Sequence, residues 1–236
     1  MIKRFSFLLV VLTAVLFSSC LKSNSGPAAP NPAGIFIVQA SPNAPVTDIY
    51  INGQLSLPNI TYGTDTGYAY GTPGPYELKI AEAGKTAYYV TKTFILDTGT
   101  LYSIYFIDSV SKMKAVAVAD NFTIPDSDSV EVRYLDFCPD LTYHTIRFEN
   151  TATSDVLELT GRSFNDQSYD SYKSDFTTIK GGTYNIKLFM LGSGTPFKTF
   201  ENVQLLGSKA YTIYLKGFYN GTGTQAMGYG LIQHLL

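Results

Sequence analysis

From Gly34 onward the chain is built of short runs in which apolar and polar residues alternate, each run ended within a few positions by Gly, Pro, Asn or Asp. Long stretches with a 3.6-residue period are absent, so a helical body is excluded and an all-β fold is predicted. Tyr76, Leu78 and Ile80 fall on one face of a strand with Glu77 and Lys79 on the other. Tyr102, Ile104 and Phe106 alternate in the same way with Ser103 and Tyr105, which predicts a second half-buried strand. Asn52-Gly53, directly after Ile49-Tyr50-Ile51, marks a tight hairpin, because both central positions of that turn require positive φ.

The alternating pattern occurs twice. Tyr76-Glu77-Leu78-Lys79-Ile80 returns as Tyr184-Asn185-Ile186-Lys187-Leu188, and Tyr102-Ser103-Ile104-Tyr105-Phe106 returns as Tyr211-Thr212-Ile213-Tyr214-Leu215, at offsets of 108 and 109. Earlier in each half the offset is 97: Ser41-Pro42 matches Cys138-Pro139, and Ile49-Tyr50-Ile51 matches Ile146-Arg147-Phe148. The second copy therefore carries about eleven extra residues in between. Repeats of this length are domain-sized rather than solenoid-sized, which predicts two β-sandwiches in tandem, at 35–121 and 129–236. Asp120 to Asp128 (DNFTIPDSD) reads as a polar link, with 122–128 between the repeats.

Ahead of the repeats stands an export signal. Lys3 and Arg4 precede an apolar stretch from Phe5 to Phe17, and Ser18-Ser19 leads into Cys20. Thirteen residues rise only about 20 Å as a helix against a hydrocarbon core of about 30 Å, so 1–19 is read as a cleaved signal peptide rather than a span. Leu16-Phe17-Ser18-Ser19-Cys20 resembles the lipobox of bacterial lipoproteins, which implies that Cys20 takes a diacylglycerol and palmitate-class acyl chains. Leu21 to Gly34 (LKSNSGPAAPNPAG) then forms, with Cys20, a flexible tether over 20–34. The expected location is the cell envelope, anchored to the outer membrane, with the periplasmic or surface face left open.

Val38-Gln39-Ala40-Ser41-Pro42-Asn43-Ala44-Pro45-Val46-Thr47-Asp48-Ile49-Tyr50-Ile51-Asn52-Gly53 resembles the opening of the domain-of-unknown-function family 4397. Gly74-Pro75-Tyr76 and Gly99-Thr100-Leu101-Tyr102 are similar to its later turns. The second half keeps Gly182-Thr183-Tyr184 and Lys209-Ala210-Tyr211, but its opening departs to Asp136-Phe137-Cys138-Pro139-Asp140. The resemblance implies an immunoglobulin-like or transthyretin-like sandwich in exported, often lipid-anchored proteins, and it brings no catalytic residues.

Chemistry-bearing motifs are few. Asp65-Thr66-Gly67 and Asp97-Thr98-Gly99 have the shape of aspartic-protease loops, which need two aspartates sharing a proton. Both lie in the first repeat and read more simply as turns, so an aspartic-type hydrolase is the remotest reading. Two histidines, His144 and His234, and no cysteine pair exclude the common zinc spacings, and no metal or cofactor is implied. Asp126-Ser127-Asp128-Ser129-Val130-Glu131 lacks the glycine and spacing of an EF-hand and reads as solvated chain. Cys138 is expected to be a buried small residue, since thiol reactivity would require a base such as His144. With a net charge of −2 and no basic block, nucleic acid is not an expected partner.

Aromatic residues are abundant, with 18 Tyr, 15 Phe and no Trp. Most alternate within strands and read as core. Tyr62, Tyr68 and Tyr70 stand among Gly63, Gly67, Gly71 and Gly74 with little apparent to pack against, so they are the ligand-binding candidates, as a stacking platform for a sugar or peptide. Sandwich packing is the favoured account of the same three. The resulting expectation is a non-enzymatic envelope lipoprotein acting in binding or assembly. Its partners would be the membrane through Cys20 and an envelope protein or glycan.

Overall fold

The computed structural model describes residues 30–234; the signal segment, Cys20 and most of the tether lie outside the described residues. The first repeat contains β1 (Ala33–Gln39), β2 (Thr47–Ile51), β3 (Gln54–Ile60), β4 (Asp65–Gly71), β5 (Gly74–Glu82), β6 (Tyr88–Leu96), β7 (Leu101–Ile107) and β8 (Lys114–Ala119). The second contains β9 (Ser129–Asp136), β10 (His144–Asn150), β11 (Val156–Arg162), β12 (Thr177–Lys180), β13 (Gly182–Met190), β14 (Lys198–Leu205), β15 (Lys209–Lys216) and β16 (Gly228–His234).

These strands make four sheets whose orders correspond one to one. In the first repeat they run β4-β1-β7-β8 and β3-β2-β5-β6; in the second, β12-β9-β15-β16 and β11-β10-β13-β14. Each repeat joins its first and seventh strands in parallel, β1 to β7 and β9 to β15, and all other pairs are antiparallel. The fold is all-β, two sandwiches of one topology.

Short-range chemistry explains the shared topology. Asn52 and Gly53 take φ of 50° and 80°, as the tight hairpin between β2 and β3 requires. Tyr76 donates its hydroxyl to the Thr72 carbonyl at 2.8 Å, and Tyr184, 108 positions later, donates to the Lys180 carbonyl at 2.6 Å. The altered opening of the second copy keeps its geometry through different residues. Gln39 accepts from the Ser41 amide at 3.0 Å, and Asp136 accepts from the Cys138 amide at 2.8 Å. Asn43 accepts from the Val110 amide, and Asp140 accepts from the amides of Tyr219 and Asn220. The departure in sequence preserves the turn, because an amide oxygen and a carboxylate oxygen accept the same bond.

Within each sandwich the two sheets enclose an apolar core. The first is built on Ile35, Ile37, Ile49, Leu78, Ile80, Ile104 and Phe106; the second on Val132, Tyr134, Ile146, Phe148, Ile186, Leu188 and Ile213. A third core lies between the repeats. Phe36, Val38, Tyr105, Ile107 and Val118 on the outer face of β4-β1-β7-β8 pack against Leu135, Phe137, Tyr214 and Ile232 of β12-β9-β15-β16. The repeats are therefore stacked as four layers, outer sheet, inner sheet, inner sheet, outer sheet.

That stacking corrects the expectation of half-buried strands along β7. Ser103 and Tyr105 are as fully buried as Ile104 and Phe106, and all seven residues of β1 are buried. Inner-sheet strands face a core on both sides, so Ile35-Phe36-Ile37-Val38 and Ile104-Tyr105-Phe106-Ile107 are continuous apolar runs.

A buried polar seam crosses the third core. Arg133 and Asp120, both with fully buried side chains, pair at 2.6 Å, and Arg133 also donates to Thr212 and to the Ala119 carbonyl at 3.0 Å each. Asp120 further accepts from Tyr68 at 2.7 Å and Ser103 at 2.8 Å. His234 meets Tyr68 through Nδ1 and Thr212 through Nε2, each at 2.8 Å. Tyr68, Ser103 and Asp120 come from the first repeat, and Arg133, Thr212 and His234 from the second.

The connecting segment is latched to the second repeat: Gly181 and Ser208 donate to Asp128 and Ser129 carbonyls at 2.7 and 2.9 Å. Beside this latch a methyl group on Gly207 would collide with the carbonyl oxygen of Ser127, a backbone atom that cannot turn aside. Gly207→Ala is expected to cost about 1–3 kcal/mol by overpacking, read as a lower melting temperature. An unchanged melting curve would show that the latch gives way freely.

Candidate functional site

The first sandwich is open along one side. Between its edge strands β3 and β4 lies a cavity of about 340 Å³ whose walls include Ile35, Ile37, Ile51, Leu57, Ala69 and Tyr76. No charged side chain lines it; Ser56 and Thr66 supply the hydroxyls at its margin. The Thr66 hydroxyl is committed, accepting from the Ile37 amide at 3.0 Å and donating to the Gly67 carbonyl at 2.9 Å. What the groove offers a ligand is apolar surface and the free backbone edge of β4.

The opening follows from chain length. Only residues 61–64 join β3 to β4, and β4 runs for seven residues with no lysine or proline to blunt it. β3 is protected differently, by Pro58 and by Asn59 at φ 58°, where its pairing with β2 shifts register. In the second repeat the corresponding connection is residues 163–176, and β12 is cut to four residues. This insertion folds into two short 3-10 turns, Asp166–Ser168 and Ser171–Ser174. Arg162 holds it, donating to both Asp166 carboxylate oxygens at 2.8 and 3.0 Å and to the Lys173 carbonyl at 3.0 Å. Arg162, Tyr172 and Lys173 line a cavity of about 250 Å³ beside β11, and a separate space of about 400 Å³ between β11 and β12 is bordered by Val156, Leu157, Ile179 and Tyr184 together with the charged Asp155 and Lys180.

The structure separates the three tyrosines singled out from sequence. Tyr68 and Tyr70 share the outer face of β4, with ring centroids 6.4 Å apart. Tyr68 does not lack packing, as its glycine-rich surroundings suggested: its ring meets Phe36 at 5.3 Å and its hydroxyl belongs to the inter-repeat seam. Burial, and then the neighbouring Asp120 carboxylate, keep that hydroxyl protonated by raising its pKa. Tyr62 lies in the β3–β4 connection, half-buried, with the Lys216 ammonium of the second repeat 5.2 Å from its ring centre. Tyr70 is 59% exposed and is the one member free to stack on a ligand. Tyr70 also borders the groove, together with Tyr76, which reads in sequence as an ordinary core position.

Other sequence candidates take plain positions. Asp65 begins β4 opposite Val38, and the turn holding Asp97 reaches Asn31 through Gly99, so the two aspartates occupy opposite ends of the first inner sheet. They cannot share a proton there. Asp97 instead accepts the Tyr102 hydroxyl at 2.8 Å. Among the described residues no group of three or more His, Cys, Asp or Glu is arranged to hold a metal ion. Cys138 is buried, and burial followed by the nearby Asp136 and Asp140 carboxylates pushes its thiol pKa up, away from reactivity.

Beside Cys138 is a pair that sequence reasoning passed over. Asp136 and His144 stand at the positions of Gln39 and Thr47 in the first repeat. The earlier pair is neutral, with the Gln39 amide donating to Thr47 at 3.3 Å; in the later one Asp136 Oδ2 lies 3.8 Å from His144 Nδ1. His144 Nε2 meets the Tyr134 hydroxyl at 2.8 Å and Nδ1 the Thr142 carbonyl at 3.2 Å, so the ring is satisfied as a neutral Nδ1–H tautomer. Asp136 Oδ2 is buried without a hydrogen-bond partner. Burial raises the Asp136 pKa to about 8 and lowers that of His144 to about 4. The signal available in sequence was the substitution of two titratable residues for two neutral ones at equivalent repeat positions.

Comparison with curated proteins gives no match. Among solved structures, one described as "Alpha-glucan binding by a streptococcal virulence factor" aligns over 77% of this chain and 92% of that one, at 11% identity and a TM-score of 0.27. Such a likeness is too slight to carry an argument about ligand or mechanism. The family comparison is more direct: residues 33–142, which span the first repeat and the opening of the second, match the model described as "Domain of unknown function (DUF4397)", and the likeness to that family lies in this segment.

Proposed function

We propose that this chain is a non-enzymatic envelope lipoprotein, held on the outer membrane through Cys20, whose first repeat binds a protein neighbour by strand addition to β4. The observation that carries this reading is the open side of the first sandwich. A strand laid along the free edge of β4 would gain main-chain hydrogen bonds, and its inward side chains would enter the apolar groove against Ile35, Ile37 and Leu57. The second repeat has a space of about 400 Å³ on the corresponding side, but it is bordered by the charged Asp155 and Lys180 and by a β12 of only four residues, so it offers a strand less edge and a less apolar wall. It serves instead as the brace to which the binding repeat is fixed by the buried seam.

Crosslinking in intact cells tests the proposal. Ala69, exposed on β4, points toward the groove, and Ala69→Arg would place a charge there while leaving the core residues in place. The expected result is a defined protein neighbour crosslinked to the native chain and reduced at least about tenfold by Ala69→Arg, with an unchanged melting temperature. A neighbour captured equally well by the variant would reject the groove as its site. Cys20→Ala is expected to move the protein from the membrane pellet to the soluble fraction; retention in the pellet would reject the anchor.

A further inference from the structure

Another cavity, of about 430 Å³, lies where the two repeats meet. One wall is the free edge of β8 at Ala117, Val118 and Ala119, continued by Asn121; the other is the insertion of the second repeat, with Gln167, Ser171, Asp175 and Phe176. Neither repeat alone forms it. We propose that this junction cleft is a binding site for a neutral oligosaccharide.

The proposal rests on what the walls present. Asn121, Ser171 and Asp175 are exposed, and among the described residues none makes a side-chain hydrogen bond within the protein. The Gln167 side-chain oxygen is buried with no partner, although its amide nitrogen donates to Asn165 at 2.8 Å. Asn121, Ser171, Asp175 and Gln167 thus line one space, the first three with side-chain donors and acceptors unspent and Gln167 with an orphan oxygen buried in the wall. A sugar hydroxyl donates and accepts at once, and matches such a mixed set better than a purely accepting or purely donating ligand.

Charge narrows the class. No lysine or arginine lines the cleft, and the nearby Arg133 is committed to Asp120, so an anionic ligand would meet only the Asp175 carboxylate. The volume falls within the range of about 300–1,000 Å³ that small-molecule sites occupy. Phe176, half-buried with Arg133 over one face of its ring at 4.5 Å and with Phe122 and His234 packed against it, borders the cleft with the aromatic surface that is left. The same insertion carries Tyr169 and Tyr172, 91% and 82% exposed, as further stacking surfaces outside the cleft. A peptide strand fits less well, because the insertion stands over the β8 edge that strand addition would need.

The test uses the full chain in a zwitterionic, non-glycosidic detergent, titrated calorimetrically with neutral gluco-, manno-, galacto- and N-acetylglucosamine oligosaccharides. At least one is expected to bind saturably, with Gln167→Ala and Asn121→Ala each weakening it by about tenfold. Ala69→Arg, in the groove of the first repeat, is expected to leave it unchanged. Melting curves establish that each variant folds, and if Gln167→Ala does not, the exposed positions decide through Asn121→Ala and Asp175→Asn. The assignment is overturned if no neutral probe binds at millimolar concentration, if binding survives the cleft variants that fold, or if only charged sugars or peptides occupy the cleft. Strand capture at β4 is read by crosslinking and stands or falls separately.

Discussion

Asp120→Ala is expected to destabilise the whole stacked body by about 3–5 kcal/mol, because it leaves the Arg133 guanidinium buried without its counter-charge. For a body of this size that corresponds to a fall of roughly 10 °C in melting temperature. Three further groups lose their arrangement together: the Tyr68 and Ser103 hydroxyls lose their acceptor, and His234 loses the orientation of its Tyr68 partner. Replacing both charged residues, as Asp120→Ala with Arg133→Met, is expected to recover much of the loss, since removing a buried pair costs far less than breaking one. Denaturant unfolding of the single and double variants measures this directly. If Asp120→Ala shifts the melting temperature by less than about 2 °C, or if the double variant is no better than the single, the seam does not bind the repeats as described.

Legibility in the sequence differed between local and long-range features. The hairpin at Asn52-Gly53 and the repeated Tyr-x-aliphatic strands follow from rules a few residues long, and they place β2, β5, β7 and their counterparts. The stacking of the repeats was written less plainly. Ile35-Phe36-Ile37-Val38 and Tyr214-Leu215 show no polar alternation, which is the mark of strands covered on both faces, yet a tyrosine such as Tyr105 passes as an exposed residue in any hydropathy pattern. What covers a second face is decided by a partner sheet about a hundred residues away.

The candidate sites show the same division. Glycines around Tyr68 suggested an open platform, but the groups that enclose its hydroxyl, Asp120 and His234, are 52 and 166 positions distant. Both cavities at the centre of the functional readings depend on one difference between the copies, the connection of 163–176 against 61–64. The sequence recorded that difference only as an offset that grows from 97 to 108. Its consequence is physical: a short connection leaves a seven-residue β4 edge beside the groove of the first sandwich, and a long one goes with a β12 of four residues and builds a wall against β8. Two copies of one fold thereby present two unlike surfaces.

The pair Asp136–His144 gives the second large prediction, a stability that falls as pH rises above neutrality. Asp136 has a folded pKa of about 8 against 3.8 for the free carboxyl, chiefly through burial, so the folded protein keeps a proton that the unfolded chain releases. Its contribution is complete below pH 4 and is lost as pH climbs toward 8. His144 and His234 work in the opposite sense. Burial lowers both to about 4, so their contribution is present above pH 6.5 and is lost as pH falls through 4. From about pH 4 to 7.5 the slopes oppose one another, and only toward pH 8 does that of Asp136 stand alone among these three groups. Unfolding free energy is expected to drop by about 1 kcal/mol between about pH 6.5 and 8, the loss at Asp136 being partly offset while the unfolded histidines finish deprotonating. Asp136→Asn keeps an oxygen for the Cys138 amide but cannot ionise, so it is expected to flatten the decline, whatever constant cost its amide hydrogens add. Urea unfolding of both proteins from pH 6 to 9 reads the slopes. Equal slopes would place the titrating group elsewhere, whereas a decline confined to the native protein would show that the second repeat stores an unpaired carboxyl where the first repeat has a neutral Gln39.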